Sequence, residues 1–127
     1  MTQRRKVEDY VKTIYLLRHK GRVRGADIAE QLHVKRPTVS CALKRMEQEG
    51  YLLRLKDHSV VLTPKGTVIA KEITDRNAGL FDLLIKLGIS EAVAMKDACN
   101  MEHAISHESF SALIALAECR AQGELST

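Results

Sequence analysis

Apolar residues return every three or four positions through most of this chain and every second position in one short stretch, and the change of period divides it into elements. Val7, Val11, Ile14 and Leu17 in VEDYVKTIYLL predict a first helix, closed by the basic residues RHK and by Gly21. ADIAEQL, through Ile28 and Leu32, predicts a short second helix. A tight turn at HVKR leads into a third, PTVSCALKRMEQEG, with Pro37 suited to a first helical position and Gly50 to a stop. Two helices joined so closely form a helix-turn-helix. In YLLRLKDHSVVLTPKG the period shortens: Leu53 and Leu55 alternate with Arg54 and Lys56, a turn falls at Asp57-His58-Ser59, and Val60, Val61 and Leu62 return. That reads as a two-stranded hairpin with leucines on its apolar side. Thr63-Pro64 then opens a long helix in which Gly79 marks a point of interruption, and residues 91–110 and 111–122 read as two more helices. The expected fold is mainly α: an N-terminal winged helix-turn-helix with a small two-stranded wing over residues 1–72, then an all-helical region over 73–127.

At about 100° per residue the third helix has two unlike faces. Val39, Ala42, Leu43 and Met46 form an apolar side that packs inward. Pro37, Ser40, Cys41, Lys44 and Gln48 lie opposite, with Thr38 and Arg45 on a flank and Lys35 and Arg36 at the entrance. Short side chains permit close approach to base edges, while lysine and arginine meet phosphates or guanine, so this face suits a major groove of double-stranded DNA. Arg54 and Lys56 in the wing are placed to reach the phosphate backbone beside it.

Charge sharpens that division. The net charge of +4 conceals 16 Lys/Arg against 8 Asp/Glu in residues 1–72 and 4 against 8 in residues 73–127. A basic half is expected to meet a polyanion, and an acidic half something else, such as a cation or a second copy. Leu113, Ile114, Leu116 and Ala117 are too apolar for so small a helical region to bury alone, which predicts a two-fold homodimer able to read a palindromic site. Cys41, Cys99 and Cys119 form an odd, widely spaced set that predicts reduced thiols. With no apolar run of membrane-spanning length and no secretory leader in MTQRRKVEDY, the expectation is a cytoplasmic protein without a membrane partner.

KDACNMEHAISH carries the remaining chemistry. On a wheel through residues 95–110, Cys99, Glu102, His103 and Ser106 share a face with Met95 and Phe110, bordered by Ala98, Met101 and Ile105. A thiol, a carboxylate and an imidazole so placed are potential ligands of one divalent metal, and a partly buried carboxylate needs either such a cation or a basic side chain to answer it. The same Cys99 and His103 could be imagined as nucleophile and base, but no Gly-rich oxyanion loop or orienting third group accompanies them, so an enzyme is not expected.

In their order along the chain, YVKTIYLL, ADIAEQL, PTVS followed by RMEQEGYL, VVLTPKG and DACNMEHAIS resemble the iron- and manganese-dependent repressors of the diphtheria toxin repressor type, over nearly all of residues 7–110. The resemblance implies a homodimeric, metal-activated repressor of metal-homeostasis genes, with a winged-helix domain and a helical dimerisation domain holding the metal. Carried over by position, it implies a ligand set of Asp9, Cys99, Glu102 and His103, and one divalent transition metal per chain. Iron or manganese is implied in the cell, and Zn2+, Co2+ and Ni2+ also suit these donors. Four positions depart from the family pattern. Asn77, Phe81 and Met95 stand where members place donors of a second site, so a second ion is not expected, and Lys12 stands one turn after Asp9 where manganese-type members have another carboxylate. Lys12 leaves an alternative open: its ammonium answers Asp9 or Glu102, the metal site is vestigial, and the protein is a metal-independent winged-helix regulator.

Overall fold

A computed structural model describes the backbone of residues 3–126 and the side chains of residues 4–119. The chain divides into two compact units, Met1–Glu72 and Ile73–Thr127.

In the first unit, α1 (Gln3–Leu17) runs into a single 3-10 turn (Arg18–Lys20), so the RHK segment tightens the helix end rather than continuing it. Strand β1 (Val23–Arg24) precedes α2 (Gly25–Leu32), whose start is held by the Asp27 carboxylate, which accepts from the Arg24 backbone N–H at 2.9 Å. His33 closes α2 in the left-handed region, and α3 (Arg36–Gln48) begins three residues later with Pro37 in its first turn. Strands β2 (Leu52–Arg54) and β3 (Ser59–Leu62) complete an antiparallel sheet of order β1-β3-β2. The wing is therefore a three-stranded sheet and not the isolated hairpin expected: two residues of β1 pair with β3, Val23 opposite Val60 and Arg24 opposite Ser59. A strand of two residues has no periodicity to read.

The core of this unit joins Val7, Val11 and Ile14 of α1, Ile28 of α2, Val39, Leu43 and Met46 of α3, and Leu52 and Val60 of the sheet. The inward face predicted for α3 is the one that packs, with Ala42 half-buried at its edge. The wing differs from expectation by one residue of register. Leu52 is completely buried, whereas Leu53 and Leu55 are exposed at 52% and 44%. Because alternate residues of a strand face alternate sides, Arg54 shares the inward side of Leu52. The clear run of L-R-L-K alternation begins one residue too late to show this.

α4 (Pro64–Lys86) is continuous for 23 residues from the first unit into the second. Its first turn is fastened to the α3–β2 turn: Thr63 Oγ1 donates to the Gly50 carbonyl at 2.6 Å, and Lys65 Nζ donates to the Glu49 carbonyl at 2.9 Å. The Lys65 ammonium also lies over the Tyr51 ring, 4.4 Å from its centroid. Gly66 permits this approach, because a Cβ there would overlap the Tyr51 carbonyl oxygen.

In the second unit α4 is followed by α5 (Glu91–Ala104) and α6 (His107–Ser126). Gly79 does not interrupt α4. Its bare α-carbon lies against α6, where an added Cβ would stand 2.8 Å from Phe110 Cζ and 3.2 Å from Ile114 Cδ1. The helix predicted over 91–110 is instead two helices. Ile105 is extended (φ −92°, ψ 140°), and the Ser106 hydroxyl accepts from the Ser109 N–H, restarting the chain as α6. Phe110 thus belongs to α6 and not to the face that carries Cys99. Among the described residues no helix is long and apolar enough to cross a membrane.

Candidate nucleic-acid interface and metal-binding helix

The exposed side of α3 carries the residues predicted for it. Lys35, Arg36, Pro37, Thr38, Ser40, Cys41 and Lys44 are all exposed, and Lys56 is exposed at the start of the wing turn. Between α3 and the wing lies a cleft of about 450 Å³ whose walls include Arg36, Ser40, Glu47, Arg54 and His58.

Arg54, also exposed, is not a free cation but is paired with Glu47. Glu47 Oε1 accepts from its Nε at 3.1 Å and Nη2 at 3.0 Å, while Glu47 Oε2 accepts from its backbone N–H at 2.9 Å. The Arg54 backbone N–H, and then its guanidinium, hold the Glu47 carboxyl below the usual carboxylate range. The wing turn is tied in a second place. Asp57 accepts from the Ser59 hydroxyl at 2.5 Å and the Ser59 N–H at 3.0 Å, and its other oxygen accepts from Arg22. Those contacts, the Ser59 hydroxyl foremost, hold the Asp57 carboxyl well below its ordinary value. His58 takes the left-handed position of this turn, with φ 68°. Sequence reasoning passed over Glu47, Arg22 and Asp57. Each partner is a common surface residue, and the pairings become visible only once α3, β2 and β1 are folded back on one another.

In the second unit, Ala94, Ala98 and Glu102 form the buried stripe of α5, one residue per turn. Small side chains let the helix pack closely, and the stripe ends in a carboxylate with no solvent exposure. His103 follows with its side chain only 2% exposed and its Nε2 3.2 Å from Glu102 Oε1. Arg76 of α4 reaches the end of this helix, its Nη1 donating to the Glu102 and Ile105 carbonyls at 3.5 and 3.4 Å, where a helix leaves carbonyls without partners of its own. A carboxylate oxygen and an imidazole nitrogen are therefore in direct contact.

Cys99 does not join them. It is exposed at the rim of the buried stripe, as is Met95, so the expectation of a wholly part-buried cluster holds for Glu102 and His103 alone. Among the described residues no three of His, Cys, Asp and Glu are gathered as they would be around a metal ion. In kind the donors fit a divalent transition metal: oxygen and nitrogen already adjacent, and a thiol one helical turn before them. Asp9 is half-buried on α1 in the first unit, where its carboxylate adds to the effect of burial in raising the Tyr10 phenol. Asn77 and Phe81 are half-buried on α4 and supply no strong metal donor.

Comparison with known proteins adds to this geometry. Residues 3–60 match the profile of the iron dependent repressor N-terminal DNA binding domain, and residues 63–120 that of the iron dependent repressor metal binding and dimerisation domain. The transcriptional regulator MntR of Salmonella typhimurium is 35% identical over 117 residues, which cover 91% of this chain and 74% of that protein. The solved structure of the manganese regulator SloR superposes with a TM-score of 0.78 at 26% identity, covering 88% of this chain and 53% of that one. The chain thus spans about half the length of SloR. A hypothetical protein from Sulfolobus solfataricus shares the fold at nearly equal length, with a TM-score of 0.69, 21% identity, and coverage of 91% of this chain and 89% of its own.

Proposed function

The chain belongs to the iron dependent repressor family, and from that premise we propose that it is a metal-responsive repressor that binds palindromic duplex DNA as a homodimer. The observation that carries this reading is the solvent-facing side of α3: seven consecutive or near-consecutive exposed residues, Lys35 to Lys44, small at their centre and basic at both ends, beside a wing fixed in place. Such a face meets base edges through Ser40, Thr38 and Cys41, and phosphates or guanine through Arg36 and Lys44. Lys56 serves the backbone contact from the wing.

Glu102, His103 and Cys99 are the residues of the second unit that would hold the metal, with Asp9 as the fourth on the family resemblance. A bound divalent cation would supply positive charge against the buried Glu102 carboxylate and select the deprotonated forms of the thiol and imidazole. The buried pair fixes where oxygen and nitrogen stand, and the rim position leaves the Cys99 thiol on the open side. Manganese or iron is the proposed ion, consistent with the manganese for which the regulator SloR is named and the iron named in the family's description.

The dimer is assigned to the second unit. Leu87, Val93, Met95 and Leu116 leave between 49% and 63% of their surface exposed there, more apolar surface than a helical region of this size leaves to water. The test is fluorescence anisotropy of the full chain with labelled DNA enriched from a random pool, with Mn2+ and with chelator. Binding that weakens as chelator is added supports the reading, and binding indifferent to chelator removes the metal from it.

A further inference from the structure

We propose that Glu47 is a specificity-determining residue of the DNA interface: it pairs with the Arg54 guanidinium at the wall of the α3–wing cleft, offsetting its positive charge there, and thereby lowers affinity for arbitrary sequence. The inference rests on the DNA-binding reading above and concerns how that binding discriminates.

Any free arginine beside a duplex releases counterions from phosphate whatever the bases are, so each one strengthens wrong and right complexes alike. Arg54 stands where such a contact would form, on the cleft that also holds Arg36 and Ser40. Yet both its side-chain donors on the Nε edge and its backbone N–H are taken by one carboxylate, and the pair adds no net charge to the cleft. The bond to the backbone has a second consequence. Glu47 lies in the last turn of α3, and through Oε2 it fixes the end of β2 relative to that helix. A fixed wing favours only the complex in which α3 sits in its proper register. One residue thus withholds a sequence-independent contact and stiffens a sequence-dependent one.

Glu47→Gln separates these effects. A glutamine amide offers one oxygen where the carboxylate offers two, so it cannot serve the guanidinium and the strand N–H together, and the cleft gains one positive charge. The full chain with Mn2+ is titrated with a random-sequence duplex and with the duplex that the wild-type protein enriches, over a range of salt. For random DNA the salt slope should steepen by about 0.9, equivalent to roughly fivefold tighter binding at about 0.15 M salt. The enriched duplex should gain less, so that the preference ratio falls. Arg54→Ala bares the Glu47 carboxylate to phosphate and should weaken both complexes, and the Glu47→Gln/Arg54→Ala double variant should bind more tightly than Arg54→Ala alone. An unchanged or shallower slope for Glu47→Gln on random DNA, or an unchanged preference ratio, would overturn this assignment while leaving DNA binding intact. Wild-type protein that binds neither duplex overturns the DNA-binding reading and this one with it.

Discussion

The ring of Phe110 on α6 rests on the bare α-carbon of Gly79 on α4, close enough that a methyl group at Gly79 would stand 2.8 Å from Cζ. In a free helix, glycine to alanine gains about 1 kcal/mol. Here overpacking costs about 1–3 kcal/mol, so Gly79→Ala should destabilise the protein despite its better propensity. In a Phe110→Ala background only the 3.2 Å approach to Ile114 Cδ1 remains, so the same substitution should cost markedly less. Urea midpoints of the four variants at one protein concentration give the cycle, and a stabilising Gly79→Ala in the native background would contradict the packing.

Gly66 faces a stricter limit, since its neighbour is the Tyr51 backbone carbonyl rather than a ring that can tilt. Gly66→Ala should cost on the order of 3 kcal/mol, at the upper end of overpacking effects. Thermal unfolding of the full chain checks this, and an unchanged midpoint would show that the α3–β2 turn yields easily.

The wing should be sensitive to acid and not to base. Asp57 is held below its ordinary pKa in the folded chain, first by the Ser59 hydroxyl, then by the Ser59 N–H and by Arg22. A carboxyl depressed on folding contributes stability above its unfolded pKa, and loses it as the pH falls from there through the folded value. The stability difference between wild type and Asp57→Ala should therefore be steady at neutral pH, shrink below about pH 4, and be least in strong acid. A difference that grew on acidification would reverse the assignment.

Arg36→Ala and Lys44→Ala should each weaken binding to the enriched duplex, and where the contact is to phosphate each should flatten the salt dependence by about one unit of slope. Both side chains are exposed on α3 and neither is needed by the core. Affinity unchanged in both variants would take α3 out of the interface.

Metal titration should saturate at one divalent ion per chain. With Co2+ the Cys99 thiolate should give a near-ultraviolet charge-transfer band that Cys99→Ala abolishes and that Cys41→Ala and Cys119→Ala leave unchanged, and Asp9→Ala should weaken binding. Saturation at two ions would mean that Asn77, Phe81 and Met95 have been misjudged as barriers to a second site.

The helices were legible because their apolar residues repeat over three or more turns, as from Val7 to Leu17 and from Val39 to Met46. Shorter signals failed for physical reasons. β1 is two residues long, and the wing register turns on whether Leu52 or Leu53 is buried, which three successive residues of YLL do not decide. The break at Ile105–Ser106 was hidden because Phe110 still falls on the wheel face of Cys99 and His103, while the decisive fact, that Ser106 caps a new helix, is a matter of backbone conformation. At the candidate sites, sequence marked the residue types on α3 and α5 but not their partners. Glu102 beside His103 follows from adjacency on one helix. Glu47 with Arg54, and Arg76 at the end of α5, depend on which elements fold against which.

The joint formed by Thr63, Lys65 and Gly66 with the chain at Glu49, Gly50 and Tyr51 has a mechanical meaning. Three hydrogen bonds, a cation over a ring and a contact with no room for a methyl group leave no slack between the end of α3 and the root of α4. Force applied along α4 is delivered to the last turn of α3 as a lever delivers it to a clamped axle.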